Sequence, residues 1–163
     1  MASIPYPFIP PGRTFLYVPS DDRFMGLARE AARRSTDPLV KTGAVVVSRD
    51  GSVLGVGANY SAFHEEKGCE RKRLGCKTGE GYELCEGCSP AYHAEPSALR
   101  AARESGNDPD GASLYLWGHW WACKDCWSAI LEAGIERVYL LERSEELFNR
   151  EHPHHILGKQ FGV

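Results

Sequence analysis

The triplet His93-Ala94-Glu95 and the pair Cys123-Lys124-Asp125-Cys126 constrain this chain more than any other feature. If one ion takes donors from both, segments far apart in sequence must end side by side at one edge of the fold. One imidazole and two thiolates can hold Zn²⁺ tetrahedrally and leave a fourth position for water, the ligand set of a catalytic site and not of a closed structural one. Water bound there ionises near neutral pH. Within a helical turn, His93 can reach the metal while Glu95, two residues on, faces the water position, where a carboxylate serves as a proton carrier. Either half is a weak signal alone; both in this order and separation make chance the lesser reading.

Bulk properties narrow the class. A chain of 163 residues with 42% hydrophobic residues fits one domain with a real core. No apolar run approaches the roughly 20 residues of a spanning helix, and the start, MASIPYPFIPPGRTF, has neither a charged n-region nor an apolar h-region, so a soluble, cytoplasmic protein is expected, without a membrane partner. Six cysteines without a secretory signal, four of them in two C-x-x-C pairs, favour reduced thiolates on metal over disulfides. A net charge of −3 gives no overall basic field, so a small-molecule partner is favoured and nucleic acid disfavoured.

Residues 1–20 carry Pro5, Pro7, Pro10, Pro11 and Pro19 and read as an extended arm, packing on the body or on a neighbour. Asp21 and Asp22 offer N-caps for a helix in which Phe24, Leu27, Ala28, Ala31 and Ala32 recur, stopped by Asp37-Pro38. Gly43–Ser48 and Val53–Gly57 around Asp50-Gly51 read as a hairpin. A helix from His93 to Ser105, a strand Ser113–Trp117, a helix Cys123–Ala133, a strand Glu136–Leu141 and a short helix Ser144–Arg150 follow. This order predicts an α/β fold, a three-layer α/β/α sandwich with a central mixed sheet of about five strands. One domain over 21–150 is expected, with a Cys-rich, irregular insert at 60–91 and a polar tail at 151–163. Both metal motifs then open helices, whose N-termini favour thiolate, and Pro96 suits a first turn.

The two motifs, together with Phe24-Met25, Leu27-Ala28, Ser35-Thr36-Asp37-Pro38, Gly43-Ala44-Val45-Val46-Val47 and Gly57-Ala58-Asn59-Tyr60, resemble the cytidine and deoxycytidylate deaminase superfamily over residues 22–142, and its deoxycytidylate branch most. The resemblance implies a cytidine deaminase-like fold, His93, Cys123 and Cys126 on a catalytic Zn²⁺, and Glu95 as proton shuttle. It further implies Asn59 contacting sugar or base and the Ala94 N–H binding the pyrimidine carbonyl. The activity implied is hydrolytic deamination of a cytosine nucleotide, dCMP to dUMP plus ammonia, through a tetrahedral adduct at C4, by a homo-oligomer. For Asn59, a turn residue bonding its side chain to local backbone stands as the alternative.

Two departures from the family pattern remodel the pocket wall: Ala122 stands where a proline usually precedes the first cysteine, and the strand Leu114-Tyr115-Leu116 lies further from Cys123. Here Trp117-Gly118-His119-Trp120-Trp121, with Trp127, holds all the tryptophans. Trp117 and Trp127 read as core. Trp120 and Trp121 lead into the metal ligands, and either could stack on a base. His119 reads as a hydrogen-bonded loop histidine or a pocket donor.

Cys69, Cys76, Cys85 and Cys88 lie in the insert, whose Gly, Glu, Lys and Arg content leaves too little apolar surface to order it. Four thiolates on a second, structural Zn²⁺ would supply the ordering free energy, with His64 replacing one cysteine as the main variant. Arg71-Lys72-Arg73 reads as a solvated face, with a phosphate or effector site as the alternative. His152, His154 and His155 read as tail surface. Rival functions are deamination of a free nucleoside, base or modified pyrimidine, or a catalytically idle zinc module; an unliganded Glu95 speaks against the last.

Overall fold

The structure is a computed structural model that describes residues 7–38, 40–77 and 80–162. Five strands form one mixed sheet in the order β1-β5-β4-β2-β3, from β1 (Phe15–Val18), β2 (Gly43–Val47), β3 (Val53–Ala58), β4 (Ser113–Trp117) and β5 (Arg137–Leu141). β1, β5 and β4 run parallel, while β2 is antiparallel to both β4 and β3. The fifth strand comes from the proline-rich arm, part of which (residues 1–6) lies outside the described residues. Pro7, Pro10 and Pro11 precede β1 and Pro19 follows it, and the strand sits at the sheet's edge, where few ladder donors are needed. Phe15 pairs with Val138, and Phe8 accepts a hydrogen bond from the Trp127 indole at 3.2 Å, so the arm packs on the body.

Strand alternation sorts the core into two. Ala44, Val46, Leu114, Leu116, Val138 and Leu140 face one side with helices α4 (Ala94–Glu104) and α5 (Lys124–Glu132). Val45, Val47, Trp117 and Leu141 face the other with α1 (Arg23–Ala32). Trp117 and Trp127 are both buried, as read from the sequence. Asp22 caps α1 by accepting the Met25 N–H at 2.9 Å. The helix stops at Ala32, before the Asp37-Pro38 breaker.

Gly55 and Gly57 explain how α4 reaches its place. A Cβ on either would stand 2.4 Å from the backbone of Ala98, so only glycine lets this helix lie so close on β3. That approach sets the height at which His93 and Glu95 emerge.

Residues 60–91 are less irregular than their composition suggests. α2 (Ala62–Lys67) and α3 (Glu70–Leu74) precede 3₁₀ turns at Tyr82–Leu84, Glu86–Cys88 and Pro90–Tyr92; Thr78 and Gly79 lie outside the described residues. Ser61 and Cys69 start the two helices and Gly68 and Gly75 end them. The tail also departs from expectation. After α6 (Ser144–Phe148), Leu157 joins the second core, Gln160 is buried, and Phe161 stacks on Trp117 with centroids 5.4 Å apart, so apolar contact overrides the polar composition. His152, His154 and His155 lie on the turns leading to it, half-buried to exposed. Among the described residues, no helix is long and apolar enough to cross a membrane.

Candidate active site and metal centres

His93 is the N-cap of α4 and Cys123 the N-cap of α5, and both helices open at the same edge of the sheet. The Cys123 Sγ accepts the Cys126 N–H at 3.4 Å, using a donor that a helix start leaves free. His93 Nδ1 lies 3.6 Å from Cys123 Sγ and 3.3 Å from Cys126 Sγ, and the two sulfurs are 3.2 Å apart. Tetrahedral zinc with bonds of about 2.0–2.3 Å places its donors roughly 3.5–3.8 Å apart, so this set fits the ion after a slight spreading. Hydrogen bonding from Cys126 and the nearby His93 lower the Cys123 thiol, while Cys126 is driven up by the Cys123 sulfur and by burial.

Glu95, in the first turn of α4, is 4% exposed and stands outside the His93–Cys123–Cys126 donor group. Burial raises its carboxyl to about 7 and the Cys123 sulfur adds to the rise, against the opposing pull of His93. A carboxyl with equal access to both protonation states near neutral pH suits proton transfer in both directions.

One cavity joins these groups to most of the residues singled out in the sequence. Its lining includes His93, Ala94, Glu95, Cys123, Asn59, His119 and Trp121. The Ala94 N–H occupies the first helical position, where no intrahelical acceptor exists. Asn59 lines the cavity, yet its Oδ1 accepts the Thr42 N–H at 2.9 Å and its Nδ2 donates to the Val40 carbonyl at 2.8 Å. The amide thus does the local backbone work that stood as the alternative to substrate contact, with one Nδ2 hydrogen to spare. His119 Nδ1 accepts from the N–H groups of Trp120 and Trp121 at 3.0 and 3.3 Å, which leaves the proton of the neutral ring on Nε2. Of the two stacking candidates, Trp121 lines the cavity, whereas Trp120 is partly buried against both hydrophobic cores.

The insert holds a second donor cluster, and its membership follows the His64 variant in place of the four-cysteine set. His64, Cys69, Cys85 and Cys88 bring their ligand atoms within 4.8 Å of one another, and Cys76 is not among them. His64 Nε2 is 3.4 Å from Cys85 Sγ and 3.5 Å from Cys88 Sγ, and Cys69 Sγ is 3.5 Å from Cys88 Sγ. The cause is α3, which separates Cys69 at its start from Cys76 past its end at about 1.5 Å per residue. His64 takes the place on the buried face of α2, against Gly87, where a Cβ would stand 2.4 Å from the imidazole. One imidazole and three thiolates match the ligand set of a structural zinc.

Sequence reasoning missed Tyr82, Thr42 and Arg150, all of which line the cavity. No period or motif marks them. Of the basic run, Arg73 pairs with Glu70 at the surface, while Arg71 and Lys72 turn to the cavity, where Arg150 joins them, its Nη1 donating to the Cys76 carbonyl at 2.9 Å.

This fold and this site define a zinc-binding deaminase domain: residues 18–142 match the family described as the cytidine and deoxycytidylate deaminase zinc-binding region, and the chain belongs to it. Among relatives, it is 36% identical over 121 residues to the deoxycytidylate deaminase of Mycobacterium phage D29, covering 72% of this chain and 91% of that one. It is 27% identical over 125 residues to the deoxycytidylate deaminase of Homo sapiens, covering 77% of this chain but only 66% of the human one. The dCMP deaminase of cyanophage S-TIM5, solved in complex with dCMP and dUMP, superposes with a TM-score of 0.50 at 26% identity, over 75% of this chain and 82% of that one.

Proposed function

We propose that this chain hydrolyses a cytosine nucleotide, dCMP to dUMP and ammonia, at a zinc held by His93, Cys123 and Cys126. The observation that carries the reading is Glu95: a buried carboxyl, outside the ligand group, beside it in a cavity that also holds Ala94 and His119. When bound, the metal would lower the pKa of water at its open position and supply a nucleophile near neutral pH. Glu95 takes one proton from the attacking water and passes it to the ring nitrogen as oxygen adds at C4, then takes the second from the new C4 hydroxyl and passes it to the amine as the C4–N bond breaks, leaving a C4 carbonyl and ammonia. The Ala94 N–H is suited to hold the pyrimidine carbonyl and Nε2 of His119 to donate beside it, while Trp121 offers a ring face to the base. Reduced thiols at both clusters suit a cytoplasmic setting.

The nucleotide assignment draws on two facts: relatives are named deoxycytidylate deaminase, and Lys72 and Arg150 bring positive charge to the same cavity. Arg71 is less suited to a phosphate, since two of its nitrogens already donate to the carbonyls of Glu80 and Lys77. Charge-assisted bonds of about 1.5–3 kcal/mol each from two cations would favour dCMP over deoxycytidine by roughly 10²-fold or more in kcat/KM. Ammonia release from dCMP, deoxycytidine and cytosine at equal concentration tests this. Equal or faster turnover of either unphosphorylated compound would reject the nucleotide and leave the zinc chemistry standing.

A further inference from the structure

Tyr82 belongs to the insert by sequence and to the catalytic cavity by position. Its ring meets the His93 imidazole edge to face, with centroids 5.1 Å apart and planes at 74°. The Arg71 guanidinium lies over the same tyrosine, 4.6 Å from its centroid. Arg71 is itself fixed, because its Nε donates to Glu80 O at 2.7 Å and an Nη to Lys77 O at 2.9 Å.

Both members of this stack hang from the insert cluster. Arg71 follows Cys69 by two residues, Tyr82 precedes Cys85 by three, and Cys88 stands five residues before His93. A histidine that binds metal through Nδ1 must hold one ring orientation, and a neighbour that restricts its rotation lowers the cost of ligation. An edge-to-face aromatic contact backed by a cation supplies that restriction.

We propose that Tyr82 is a positioning residue for His93, and that through the Arg71–Tyr82–His93 stack the insert's metal centre fixes the ligand geometry of the catalytic one. The inference rests on zinc occupying both clusters.

The test reads metal retention, not turnover. Full-length, zinc-loaded protein is exposed to a chelator and an alkylating agent, and labelling of each cysteine is followed by mass spectrometry. Tyr82→Phe keeps the ring and should match the wild type. Tyr82→Ala should label Cys123 and Cys126 roughly tenfold faster, the lower end of what lost outer contacts do to a metal ligand, with Cys69, Cys85 and Cys88 unchanged. Cys85→Ser, which opens the insert cluster, should also accelerate labelling of Cys123 and Cys126. Unchanged labelling of Cys123 and Cys126 in Tyr82→Ala, or parallel acceleration of both cysteine sets in it, would overturn the proposal. A wild type whose Cys123 and Cys126 show no zinc protection would instead reject the catalytic zinc, and the proposal with it.

Discussion

Asn59 and Gln160, 101 residues apart, hold the same two peptide groups. Asn59 Nδ2 donates to Val40 O and its Oδ1 accepts from Thr42 N–H, at 2.8 and 2.9 Å. Gln160 Oε1 accepts from Lys41 N–H and its Nε2 donates to Lys41 O, both at 2.8 Å. Each peptide flanking Lys41 is therefore bonded by one side-chain amide from the end of β3 and one from the C-terminal segment. Val40, Thr42 and Asn59 all line the cavity at the His93–Cys123–Cys126 group, so the C-terminal segment helps to shape its wall.

Gln160→Ala should loosen that wall without touching the metal. Two hydrogen bonds are lost and a Lys41 N–H is left to find water, a cost of about 1–3 kcal/mol. Hydrogen exchange at Lys41 should quicken and KM should rise while zinc content stays constant; unchanged exchange would show that the bracket carries no load.

Two zinc ions per chain are expected by elemental analysis, and variants assign them. Cys76→Ser should keep both, whereas His64→Ala should lose one and lower stability more than it alters chemistry. Loss of a zinc in Cys76→Ser would restore the four-cysteine arrangement and contradict the geometry of α3.

Glu95→Gln should retain the catalytic zinc, since the carboxylate is no ligand, yet turn over at least roughly 10²–10⁴-fold more slowly, the usual worth of general acid–base work. His93→Ala and Cys126→Ala should instead lose the metal. Near-normal turnover by the zinc-loaded Glu95→Gln protein would refute the proton-shuttle role.

Burial lowers the His119 imidazole to about 3, and the charge of His93 acts in the same direction. The unfolded chain takes up that proton near pH 6.5, the folded one does not. Stability from the neutral ring is therefore complete above about pH 6.5 and is eroded as pH falls towards 3. Zinc-saturated His119→Gln protein, with the same ligands, should lose less stability than the wild type between pH 6.5 and 5 in urea titrations; identical slopes would place the wild-type pKa near its ordinary value.

The sequence by itself determined the elements whose pattern is local. Phe24, Leu27, Ala28, Ala31 and Ala32 recur at helical spacing behind a capping aspartate, although the fold buries Met25 and leaves Leu27 exposed; Val45 and Val46 alternate between two cores, and the H-x-E and C-x-x-C spacings mark donors that could hold one ion. These signals survive in one dimension because helix and strand periods, and ligand separations within one turn, depend on near neighbours only. Tertiary structure alone decided the rest. The arm became an edge strand because β5 offered a free edge, and the polar tail docked because Trp117 and Lys41 offered it a ring and two backbone groups. His64 displaced Cys76 because a five-residue helix carries Cys76 away, and Tyr82 reached His93 because the insert folds back on α4. Each of these depends on which surfaces meet, and no periodicity within a segment records what lies across from it.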